Sequence, residues 1–108
     1  MAQTHKQMYE KLLKRMDTYH PSKDFSIITR VYDFAVKAHG SQLRKSGDPY
    51  MIHPMAVALL LVDLKCDIET IAGGILHDVV EDTEVTEEEI AKKFGKEIAE
   101  LVKLIKQY

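Results

Sequence analysis

The apolar residues of this chain recur at three- and four-residue steps almost from end to end, and nowhere do they alternate over a stretch long enough for a strand. That spacing gathers side chains on one face of an α-helix but scatters them over both faces of a strand, so it commits the chain to packed helices. Met8, Leu12, Leu13 and Met16 make a first stripe, closed by His20-Pro21. Phe25, Ile28, Val31, Tyr32, Ala35 and Ala38 make a second, with Ser22 as its expected N-cap and Gly40 as its C-cap. A third helix takes Pro54 into its first turn and runs apolar on nearly every side from Met55 to Leu64, as expected of the centre of the core.

Asp67 is the expected cap of a fourth helix, which runs through Ile71, Ile75 and Leu76 towards Val80. The pair Gly73-Gly74 inside it costs about 1 kcal/mol per glycine relative to alanine. Such a cost implies close approach by another helix, for which the third is the candidate. Thr86 and Glu89 form a capping box for a short fifth helix ending at Phe94-Gly95. Ile98, Leu101, Val102 and Ile105 stripe a sixth, from Lys96 to Gln107. The fold class is all-α, a compact irregular helical bundle of about five to six helices.

With 108 residues, the chain makes one domain and one core. Its longest apolar run, Met55 to Val62, falls well short of the ~20 residues of a membrane span. Residues Met1 to Tyr19 mix charged and apolar residues and lack the apolar stretch of an export signal. Cys66 has no partner in the chain, so no internal disulfide forms, and a reducing cytoplasm is the expected compartment. Neither a membrane nor nucleic acid is an expected partner.

Residues 1 to 45 hold nine Lys/Arg and four Asp/Glu, a net of +5, whereas residues 46 to 108 hold six and thirteen, a net of −7. That asymmetry suits a cleft between an anionic ligand and a cation-binding cluster, although charge alone favours two solvated faces of a mixed-charge surface.

One tract runs against helix electrostatics. After Ile75-Leu76 come His77, Asp78, Val79, Val80, Glu81, Asp82, Thr83 and Glu84. On a continuous helix, His77 stacks on Glu81 and Asp78 on Asp82. A helix C-terminus disfavours such acids by ~0.3–1 kcal/mol each, a penalty that a bound divalent cation reverses. Solvation and capping by Asp82 or Thr83 would also serve them. His53-Pro54 adds the distinguishing detail, because an imidazole at the start of an apolar helix is hard to justify as packing. If the third and fourth helices are antiparallel, His53 lies level with His77 and Asp78, and two imidazoles and a carboxylate converge. Mixed sites of that kind suit Mn²⁺, Fe²⁺ or Zn²⁺ with open positions.

Arg44, Lys45 and Ser46, in a loop that contains Gly47, are suited to anionic oxygens: a guanidinium fork, a point charge and a hydroxyl. Such a pair is also common on ordinary solvated loops, and here gains weight from lying a few residues ahead of His53. The chain has no Walker loop, G-x-G-x-x-G, H-E-x-x-H or nucleophile elbow.

The strings HGSQLRKSGDPYMIHP and GGILHDVVEDTEVTEEEIAKKFG together resemble the N-terminal HD hydrolase domain of RelA/SpoT-type (p)ppGpp synthetase/hydrolases, over roughly Phe25 to Val102. The resemblance implies a helical, metal-dependent fold in which Mn²⁺ supports hydrolysis of the 3′-pyrophosphate of (p)ppGpp, giving GDP or GTP plus pyrophosphate. It implies His53, His77 and Asp78 as metal ligands, and Glu81 and Asp82 as the acidic pair that positions or activates the attacking water. By the same resemblance Arg44, Lys45 and Ser46 hold the guanine nucleotide. In synthetase-only relatives the His-Asp and Glu-Asp pairs are degraded, whereas both are intact here.

The family's fourth ligand, an Asp on a later helix, falls beyond Tyr108. Where the family continues Leu-Val-Asp-Gly-Val-Thr-Lys, this chain has Leu101-Val102-Lys103-Leu104-Ile105. The expected organisation is a packing helix over residues 1–20 and an HD-type unit over residues 21–108, short or truncated at its C-terminus. The alternative to a hydrolase is a non-catalytic guanine-nucleotide-sensing or interaction module. Apolar surface left uncovered in a short member would favour a homo-oligomer.

Overall fold

The computed structural model describes residues 4–21, 24–40, 47 and 49–106. It is all-α: α1 (His5–Tyr19), α2 (Ser26–His39), α3 (Ile52–Asp63), α4 (Ile68–Leu76), α5 (Val79–Asp82), α6 (Glu87–Phe94) and α7 (Lys96–Lys106), with no β-strand among the described residues. The additional segment has a local cause. The run expected from Asp67 to Val80 is two helices, because α4 stops at Leu76 and a single turn, α5, starts at Val79. The His77 ring bonds the Gly74 carbonyl, which an unbroken helix would give to the Asp78 N–H.

Caps account for most of the other boundaries. Thr4 and Gln7 exchange side-chain bonds at the start of α1, a full capping box. At α6 the Thr86 hydroxyl accepts the Glu89 N–H at 3.2 Å. Gly40 (φ 57°) and Gly95 (φ 101°) end α2 and α6 in backbone conformations that favour glycine. The start of α2 corrects the sequence reading. The helix begins at Ser26, where the Asp24 carboxylate accepts the Ser26 N–H at 3.1 Å, and Ser22 lies outside the described residues.

The turn between α3 and α4 makes them an antiparallel pair. Lys65 N–H donates to Val62 O at 2.8 Å and Cys66 N–H to Leu61 O at 3.0 Å, a Schellman arrangement with Lys65 at φ 58°. Asp67 then caps α4, accepting the Thr70 N–H at 2.8 Å. Hydrogen bonds from Thr70 hold the Asp67 carboxyl below its ordinary value. The stabilisation is therefore complete above about pH 4 and fades as pH falls through the lowered value. Asp67→Ala is expected to cost about 1 kcal/mol in urea unfolding at pH 7, with the gap to the parent chain narrowing as the acid range is entered.

The central helix is α4, not α3. Every residue from Ile71 to Leu76 is buried, with α2, α3 and α7 packed around them. Gly73 and Gly74 make this enclosure possible: a Cβ on Gly73 would lie 3.1 Å from Leu101 Cβ of α7, and one on Gly74 2.6 Å from Leu61 Cδ1 of α3. The anticipated close approach thus comes from two neighbours. In contrast, α3 buries Met55, Ala58 and Val62 against α1 and α4 while Leu60 stays 60% exposed, as does Leu64 just beyond it at 67%. α1 packs against α3, with Leu12 and Met16 fully buried, and is tied down by Arg15 to Asp63 at 2.9 Å and Tyr19 Oη to Cys66 O at 2.7 Å.

Candidate metal centre

The antiparallel hairpin brings the start of α3 to the end of α4. His53 is the second residue of α3, and His77 and Asp78 form the corner between α4 and α5. One ligand atom from each of His53, His77 and Asp78 lies within 4.8 Å of the other two. The rings of His53 and His77 stand 5.3 Å apart at 63°. Each oxygen of Asp78 faces one imidazole: Oδ1 lies 3.2 Å from His77 Nε2 and Oδ2 lies 3.5 Å from His53 Nε2. His77 and Asp78 are largely enclosed, while the His53 side chain is 42% exposed.

The hydrogen bonding of His77 limits its chemistry. Its Nδ1 lies 2.5 Å from the Gly74 carbonyl oxygen, which only accepts, so Nδ1 carries the proton. In the neutral ring, Nε2 then presents a lone pair to a carboxylate oxygen. Two electron-rich groups face each other in a half-dry corner, and a positive charge between them, a proton or a cation, relieves the repulsion. A backbone carbonyl that accepts one ring N–H, fixing the tautomer so that the lone pair of the other nitrogen is available to a metal, is the usual arrangement for a metal-binding histidine. The donor set therefore fits a divalent transition ion.

The remaining site candidates are distributed differently. Glu81 and Asp82 are exposed on α5 and stand outside the cluster. Asp82 lines an open cleft of about 650 Å³ with Ala38, Thr83, Glu84, Val85 and Glu89. Thr83 shapes that wall, its hydroxyl donating to Val79 O at 2.6 Å and accepting from Val85 N–H at 3.1 Å. Arg44, Lys45 and Ser46 lie outside the described residues.

Sequence reasoning missed one buried polar side chain. His39 is 2% exposed at the end of α2 and stacks on Tyr50, with ring centroids 5.2 Å apart and planes at 10°. The signal was present, since position 39 continues the stripe of Val31, Tyr32 and Ala35 by one helical turn.

Fold and side chains together define a helical domain with a His–His–Asp constellation able to hold a divalent ion. Comparison with known proteins agrees: a family profile described as HD domain matches residues 31–108. A GTP pyrophosphokinase of Myxococcus xanthus is 51% identical over 84 residues, covering 78% of this chain and 11% of the relative. A guanosine-3′,5′-bis(diphosphate) 3′-pyrophosphohydrolase of Aquifex aeolicus is 46% identical over 93 residues, covering 86% of this chain and 13% of that protein. The bifunctional (p)ppGpp synthase/hydrolase SpoT of Escherichia coli is 42% identical over 95 residues, 88% of this chain and 14% of its own length. The chain belongs to the HD domain family, as an HD domain of the RelA/SpoT type. It spans only 11% to 14% of the length of these three relatives. No described helix is long and apolar enough to cross a membrane.

Proposed function

We propose that the chain is a Mn²⁺-dependent (p)ppGpp 3′-pyrophosphohydrolase domain, releasing pyrophosphate and leaving GDP or GTP. The observation that carries this reading is the meeting of His53, His77 and Asp78 within 4.8 Å in a chain similar to a protein named for that hydrolysis. In this reading the two Nε2 atoms and the Asp78 carboxylate hold the metal, which when bound supplies Lewis acidity and activation of water. Gly74 keeps His77 in the ligating tautomer through its carbonyl. Glu81 and Asp82, one turn further on, orient the attacking water and accept its proton. Arg44, Lys45 and Ser46 bind the guanine nucleotide and offset charge developing on its phosphates. α1 is a packing helix ahead of the HD-type unit, the cytoplasm is the compartment, and self-association covers the exposed Leu60 and Leu64.

The direct test is pyrophosphate release from ppGpp with added Mn²⁺. A folded chain should turn over, and Glu81→Gln should lower kcat by about a hundredfold or more. No release from a folded, Mn²⁺-saturated chain removes the hydrolase reading. The exposure of Glu81 and Asp82 outside the cluster favours a second reading, a guanine-nucleotide-sensing module. Calorimetry separates the two, since a sensor binds ppGpp without consuming it.

A further inference from the structure

A cationic cleft that shares no residue with the His–His–Asp cluster lies between α2 and the end of α6. Arg30, Asp33, Phe34 and Lys37 follow one another at i, i+3, i+4 and i+7 along α2, and with Lys93 and Phe94 they line a cleft of about 300 Å³. Four of these side chains interlock. Phe34 and Phe94 meet edge to face, 5.3 Å apart at 80°. Lys93 Nζ lies 5.2 Å from the centre of the Phe34 ring, and the Arg30 guanidinium 5.5 Å from that of Phe94. Arg30 Nη2 also donates to the Lys93 carbonyl at 3.1 Å.

This interlock orders two long cationic side chains in advance, so a ligand need not bear the full entropy of fixing them. The guanidinium has five N–H donors and gives one to the Lys93 carbonyl. Three cations around the cleft outweigh the single carboxylate of Asp33. Because both rings already carry the chain's own cations, the cleft offers charge rather than a stacking platform. Its volume is at the small end for ligand sites, enough for a compact anion. A guanidinium fork beside two ammonium groups matches the several oxygens of a phosphoryl group better than a single carboxylate does.

We propose that the cleft between α2 and α6 is an oxyanion site that binds a phosphate or pyrophosphate group, independently of the His53–His77–Asp78 cluster. The test is titration of sodium pyrophosphate into the whole 108-residue chain in the presence of EDTA, followed by calorimetry and amide and guanidinium NMR shifts. Saturable binding is expected, with shifts at Arg30, Phe34, Lys37 and Phe94, and no equivalent response to chloride at matched ionic strength. Arg30→Gln should weaken affinity about tenfold and Lys37→Gln about threefold, while Asp78→Asn leaves it unchanged. Lys37→Gln spares the Arg30–Lys93 tie and decides the matter if Arg30→Gln unfolds. No saturable binding, shifts centred on His53, His77 and Asp78, or unchanged affinity in Lys37→Gln would overturn the proposal.

Discussion

Calorimetric titration of Mn²⁺ into a His77→Ala chain is expected to show affinity about a hundredfold or more below that of the parent. Substitutions of groups that merely orient a ligand cost 10–100-fold, and His77 is placed to ligate directly. Asp78→Ala should do the same, because one carboxylate oxygen faces each imidazole and its loss leaves two rings with no anionic partner between them. A second readout is independent of catalysis. At a free concentration 100 times its dissociation constant, a metal that binds only the folded chain stabilises it by about 2.7 kcal/mol. Addition of Mn²⁺ should therefore raise the melting temperature of the parent chain and leave His77→Ala and Asp78→Ala unmoved. Equal stabilisation of all three would mean that the ion sits elsewhere.

The second large effect concerns the two glycines of α4, which look alike in the sequence and face different partners. Gly73→Val is expected to cost about 3 kcal/mol, whereas Gly74→Ala should be nearly neutral. At Gly73 even a Cβ would lie 3.1 Å from Leu101 Cβ and 3.5 Å from the Leu101 carbonyl carbon, atoms that move only if α7 moves. Valine adds two methyl groups to that contact. At Gly74 the 2.6 Å contact is with Leu61 Cδ1, the far end of a side chain that can rotate away, and Val57 lies at 3.5 Å. There the helix preference of alanine, about 1 kcal/mol over glycine, offsets the adjustment. Urea unfolding of the two variants checks the contrast. Reversal of the order would mean that α3, not α7, is the rigid neighbour.

Much of this fold was legible because its helices carry their own signals. The stripe of Met8, Leu12 and Met16, the caps at Asp67 and Thr86, and Gly40 and Gly95 at helix ends are local chemistry, and each reappears in the structure. The reading failed where the outcome depends on a neighbour. An apolar run from Met55 to Leu64 reads as a core helix, yet Leu60 points outward because α1 and α4 cover only part of α3. The core face expected for the second helix stopped at Ala38, yet His39 is interior as well, stacked on the Tyr50 ring.

The candidate site divides along the same line. His53, His77 and Asp78 could be nominated from sequence because an antiparallel hairpin of two apolar helices puts its opposite ends level, and a short turn permits that hairpin. Glu81 and Asp82 read as partners of His77 and Asp78 on one continuous helix. The His77 ring takes the Gly74 carbonyl at the corner, and the two acids that follow stand outside the cluster.

By itself, then, the sequence determined the helical class and most helix ends, since these follow from periodicity and capping, and it nominated three side chains able to share an ion if two helices ran antiparallel. Only the tertiary structure decided which helix is central, which glycine faces a neighbour's Cβ and backbone rather than a side-chain tip, and how the carboxylate of Asp78 divides its oxygens between two imidazoles. Those outcomes depend on contacts between residues distant in the chain, and no local pattern encodes the direction from which a neighbour arrives.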